Sequence, residues 1–89
     1  MIKVKHVSHH NEYKLYVELS NGRCGFFDVS EYLDKGIFHQ LSDIEYLKTV
    51  KENFAGICWP NGQDFSADTI NHEMLVLPDN AVQSHYARR

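Results

Sequence analysis

Apolar and polar residues alternate along the first part of the chain. Ile2 and Val4 flank Lys3 and are followed by Lys5, so residues 2–7 read as a half-buried strand. Leu15, Val17 and Leu19 repeat the alternation with Lys14, Tyr16 and Glu18 interleaved, and the polar run His9-His10-Asn11-Glu12 connects the two segments. Asn21-Gly22 then divides residues 13–20 from another extended run that reaches Phe27. Asn and Gly tolerate the positive φ of a two-residue type I′ turn, so the dipeptide signals a hairpin. In that register Ser20 faces Arg23, Leu19 faces Cys24 and Val17 faces Phe26. One face then collects Leu15, Val17, Leu19, Cys24 and Phe26. The other carries Lys14, Glu18, Ser20, Arg23 and an aromatic pair, Tyr16 and Phe27. A slip of one residue would scramble this sorting. Short connections make the three segments an antiparallel meander.

The pattern changes after Phe27. Asp28 with Glu31 has the spacing of a helix N-cap and its capping-box partner, Tyr32 and Leu33 supply an apolar side, and Gly36 is placed as a C′ glycine. Ile37, Phe38 and Leu41 suit another helical turn, and Ser42 with Glu45 repeats the capping spacing ahead of Ile44, Tyr46 and Leu47. Residues 29–47 therefore read as a broken helical crossover. A strand near 48–53 and a second hairpin near 56–65 follow, turned at Pro60, Asn61 and Gly62. Its two-residue register sets Trp59 opposite Asp64 and Cys58 opposite Phe65. Pro60 lacks an N–H and biases Trp59 toward extended backbone, which suits an edge beside a turn. Ser66 or Asp68 opens a last short helix to about residue 73, Met74-Leu75-Val76-Leu77 is apolar, and Pro78-Asp79-Asn80 breaks that run. Residues 81–89 read as a closing helix or a frayed end.

The predicted class is α+β, a single domain over residues 1–89. It is an antiparallel sheet of five or six short strands from two hairpin regions, with the broken crossover and a short C-terminal helix. A chain of 89 residues buries roughly 60–68% of its unfolded surface, enough for one core. A net charge of −3 offers no broad positive field and argues against nucleic acid. Cys24 and Cys58 are too few for a secreted disulfide scaffold and read as buried thiols in a reducing compartment, though their spacing does not exclude a bridge. No apolar run reaches membrane-spanning length and the N-terminus lacks a signal-peptide core, so the expected location is cytoplasmic.

Several of these strings occur together in one family. The Asn21-Gly22 turn, Phe27-Asp28-Val29-Ser30, Gly36-Ile37-Phe38 and the block Trp59-Pro60-Asn61-Gly62, Asp64-Phe65-Ser66, Asp68-Thr69-Ile70 resemble the bacterial domain-of-unknown-function family 2442. The likeness spans about residues 2–71, and its most specific part is Trp-Pro before Asn-Gly. It implies a small α+β unit, often encoded alone, sometimes joined to a helix-turn-helix or beside a toxin-like partner gene. The family offers no catalytic residues to carry over. Residues 74–89 are an extension beyond the family-like core, with too little length after residue 73 for a helix-turn-helix.

Candidate chemistry is sparse. His6, His9 and His10 with Glu12 could supply metal ligands, but their spacing matches no zinc motif and strand alternation splays them. Asp68 and His72 share a helical face near Asp64, which is half of a nucleophilic triad, yet neither Ser66 nor Cys58 sits in a nucleophile motif. Capping is the plainer role for Ser66 and Asp68. Glycines follow no phosphate-loop spacing. The reading is a non-catalytic protein-interaction module without cofactor or metal, antitoxin-like or a regulatory accessory protein. It binds another protein or itself through Tyr16, Phe27 and the lone Trp59. Asn21, Gly22, Asp28, Gly36, Pro60, Asn61, Gly62, Ser66 and Asp68 are turn and cap residues. A small hydrolase or metal-dependent enzyme using the His/Asp clusters is the alternative, and a DNA-binding regulatory domain is a second one.

Overall fold

A computed structural model describes residues 1–77; the predictions for 78–89 lie outside the described residues. The α+β class holds, with the strands divided between two antiparallel sheets instead of one. Strands β1 (Val4–Asn11), β2 (Lys14–Leu19), β3 (Cys24–Asp28) and β7 (Leu75–Val76) form the first, in the order β1-β2-β3-β7. Strands β4 (Lys51–Glu52), β5 (Gly56–Cys58) and β6 (Asp64–Ser66) form the second. The crossover is broken as its sequence implies, into 3-10 turns at Ser30–Tyr32 and Gly36–Ser42 and a one-turn helix α1 (Ile44–Leu47). Helix α2 (Ala67–Glu73) starts at Ser66, whose hydroxyl accepts from the Thr69 N–H.

Both Asn-Gly corners reverse the chain, but each by a three-residue loop. Glu18 pairs with Cys24, Tyr16 with Phe26 and Leu15 with Phe27. In the second hairpin Cys58 pairs with Asp64 and Ile57 with Phe65. The Gly22 N–H donates to the Leu19 carbonyl, the Leu19 N–H donates to Arg23, and the same pair of bonds joins Gly62, Trp59 and Gln63. Only the glycines are left-handed, with φ +90° at Gly22 and +100° at Gly62. A type I′ turn needs positive φ at both central residues, whereas a type I turn closed by a left-handed glycine bulge needs it only at the third. Pro60 then takes the second turn position that its fixed φ favours.

This one-residue correction exchanges faces. Phe27 is 1% exposed and points into the core with Leu15, Val17 and Leu19, while Phe26 joins Tyr16 on the outer face. Strand parity contained the clue. Phe26 inward would have carried Asp28 inward with it, and Trp59 opposite Asp64 would have set a carboxylate against a buried indole. The two-residue loop occurs instead at Glu12-Tyr13, between paired Asn11 and Lys14, with Glu12 at φ +50°. Strand β1 thus runs through the predicted polar connection, with a bulge between His9 and Asn11.

Capping also differs in detail. Asp43, not Ser42, caps α1 by accepting from the Glu45 N–H, and the Ser42 hydroxyl donates to the His39 carbonyl. Asp28 accepts from the Ser30 N–H at the end of β3, with Val29 standing between it and the 3-10 turn. Gly36, at φ +55°, begins the second turn and follows the first by several residues.

The core fills the space between the inner face of the first sheet and the second sheet with its helices. Phe65 is its aromatic centre, with ring centroids 4.9 Å from Phe27, 4.8 Å from Tyr32, 5.0 Å from Phe38 and 5.9 Å from Trp59. Gln63, 1% exposed, is the one buried polar side chain among the described residues. Its amide donates to the Ile37 carbonyl (2.8 Å) and accepts from the Tyr46 hydroxyl (2.6 Å). That hydroxyl accepts from the Asn61 N–H, and the Trp59 indole donates to the Leu47 carbonyl. The sheets meet where Glu52 accepts from the Val7 N–H (2.8 Å), with the His6 ring nitrogen 3.8 Å away.

Two outcomes follow from these contacts. Gln63→Leu preserves shape but leaves the Ile37 carbonyl and Tyr46 hydroxyl without their partner. Urea denaturation is expected to show a loss of about 2–4 kcal/mol; a loss within about 0.5 kcal/mol, the range of neutral surface changes, would mean the network is slack. Glu52 accepts from its own N–H and from that of Val7, which holds its pKa below the ordinary 4.5. A depressed carboxylate contributes stability that is present above its unfolded pKa and lost as pH falls through the folded value. Glu52→Gln should therefore flatten the acid limb of the stability curve while leaving its slope above neutrality unchanged. Identical acid limbs in the two proteins would refute the assignment.

Candidate functional site

Alternation in the first sheet sends one set of side chains to the core and leaves the other outside. The register aligns Ser8, Tyr16, Phe26 and Leu75 in one row across all four strands. Leu75 is 72% exposed, Tyr16 and Phe26 are half-buried, and none of the four belongs to the core cluster. The Tyr16 and Phe26 rings meet edge to face at 6.0 Å, and the His10 ring lies 4.4 Å from Phe26. Because the bulge in β1 leaves His10 without a cross-strand partner, its ring can settle over the neighbouring aromatic. Gly25 allows the row to extend to β7, since a Cβ there would collide with the Leu75 carbonyl.

The Tyr16 hydroxyl donates to Glu18 (2.8 Å). Burial first, then the hydrogen bond to Glu18, pushes its pKa upward. Beside the row lies an open cleft of about 620 Å³ between the end of β3, the first 3-10 turn and the end of α2. Phe26, Tyr32 and Leu75 give it apolar wall; Lys14, Asp28, Glu31, Glu73, His10 and His72 give it charge and ring nitrogen. The Tyr32 hydroxyl donates to Glu73 (2.6 Å), and that carboxylate pushes the phenol up to about 12. Both phenols are thus held protonated at neutral pH, the opposite of what a tyrosine base requires.

The remaining candidates fall elsewhere. Trp59 is 3% exposed, so packing takes it off the surface, as burial does for Phe27. His6 faces Glu52, His9 bonds the Glu12 carbonyl, and His10 packs on Phe26, so the three imidazoles have three separate surroundings. Asp64 and Asp68 are exposed, and only His72 of that trio lines the cleft. Among the described residues no three His, Cys, Asp or Glu side chains form a group that could hold a metal. Cys24 and Cys58 are free thiols in different sheets. No described helix is long and apolar enough to cross a membrane. Asn21 and Gly22 shape the first corner, and Asn21 and Arg23 reach Asn71 at the end of α2. Sequence reasoning missed Phe26, displaced by the register, and Tyr32, Glu73 and Leu75, which share a surface only after α2 and β7 return alongside β3.

Among known proteins, no curated protein and no solved structure matches the chain. A sequence profile for a family described as "Protein of unknown function (DUF2442)" matches residues 4–74, which spans both corners, the crossover and α2. The chain belongs to that family.

Proposed function

We propose that this chain is a non-catalytic protein-interaction module, antitoxin-like or a regulatory accessory, whose outer sheet face docks another protein. The observation that carries this reading is the row Tyr16, Phe26 and Leu75 with His10 packed against it, an aromatic and aliphatic strip set on four hydrogen-bonded strands. Aromatic residues on a rigid support lose little side-chain entropy on binding and dominate interface energies. The strip is flanked by Glu18 and Lys14, a polar rim of the kind that surrounds interface cores. Of the ionisable residues named for hydrolysis, His6, His9 and His10 lie in three separate surroundings and Asp64 and Asp68 are exposed, and a net charge of −3 gives DNA binding no electrostatic support.

The test is complex formation between the full chain and the product of its neighbouring gene, followed by calorimetry. Phe26→Ser/Leu75→Ser is expected to weaken the complex about thirtyfold, the scale of losing a central hot spot. Circular dichroism and thermal melting should show the variant folded. Unchanged affinity in a folded double variant would remove the face.

A further inference from the structure

We propose that the cleft beside this face receives an arginine-bearing extended segment of the partner protein. The inference rests on the interaction reading and adds the chemistry of the partner. A concavity of about 620 Å³ is of small-ligand size, large enough for one or two side chains. Among the described residues, its charged lining is Asp28, Glu31 and Glu73 against the ammonium of Lys14. Glu73 is held in place by the Tyr32 hydroxyl through one oxygen, and Glu31 has no side-chain hydrogen bond or ion pair among the described residues. Phe26, Tyr32 and Leu75 form its apolar walls. Aromatic surface beside carboxylates is the environment that suits guanidinium, which stacks on rings while its fork of N–H groups meets carboxylate oxygens. Lysine matches the charge but not the flat stacking, and an acidic segment matches neither. Phe26 lines the cleft and also lies in the docking row, so a segment seated there is continuous with the proposed interface.

The experiment is an amide chemical-shift titration of the isotope-labelled full chain with blocked tetra-arginine, tetra-lysine and tetra-glutamate at low and high salt. Tetra-arginine is expected to produce saturable shifts confined to residues 26–32 and 72–75, stronger than those from tetra-lysine, with none from tetra-glutamate. Glu31→Gln and Glu73→Gln, the second retaining an oxygen for Tyr32, should each weaken binding about two- to fivefold. Shifts spread over the whole acidic surface, or a double variant that binds as tightly as the parent, would overturn the proposal. Self-association abolished by the same substitutions would also overturn it, by giving the cleft to a second copy. A chain that captures its partner through Phe26 and Leu75 yet ignores tetra-arginine overturns this inference alone. One that takes tetra-arginine while the Phe26→Ser/Leu75→Ser variant still captures its partner overturns only the docking face.

Discussion

A primary amide sealed from water must find protein partners for its oxygen and nitrogen, and Gln63 finds them in the crossover. That matters because the crossover has little stability of its own. Its longest α-helical piece is the four residues of α1, and helices of one turn do not persist alone in water. The corner Trp59–Gln63 supplies what local propensity lacks. The Trp59 indole fixes Leu47, Gln63 fixes Tyr46 and Ile37, and the Asn61 side chain bonds Gln40. These contacts set the crossover over Phe65, whose ring touches aromatics from the first sheet and from the crossover itself. The turn is therefore a clamp.

Much of this was legible in the chain. The meander, the broken crossover, a helix start at Ser66 or Asp68 and both chain reversals follow from alternation, spacing and turn chemistry. The registers were not, because Asn-Gly suits two loops of different length. In one loop Asn is left-handed; in the other only Gly is. The neighbours decide between them: Asp28 and Asp64 must stay outside, which forces Phe27 and Phe65 in. Burial of carboxylates is the costlier error, so their parity outranks the dipeptide signal. Strand β7 was illegible for another reason. Its two residues have no pattern of their own, and they pair with β3 only because Gly25 lets backbone approach backbone. The cleft inherits that difficulty, since Tyr32 and Glu73 are 41 positions apart and meet through tertiary return alone.

For the proposed docking, the same geometry favours the face over the β1 edge. An unpaired strand edge invites another strand, and β1 is one of the first sheet's two outer strands, β7 being the other. Yet the Val7 N–H, the group an incoming strand would use, already donates to Glu52 from the second sheet. A charged side chain placed across an edge blocks strand addition while costing the face nothing. The face, by contrast, keeps Phe26 and Leu75 in contact with solvent at neighbouring positions of a paired register. Their separation is set by backbone hydrogen bonds, not by flexible side chains, so the proposed docking strip would need no ordering before it binds. Inner-face packing thus serves a second end: by consuming Leu15, Val17 and Phe27 it holds the sheet rigid enough for the residues between them to act as a fixed surface.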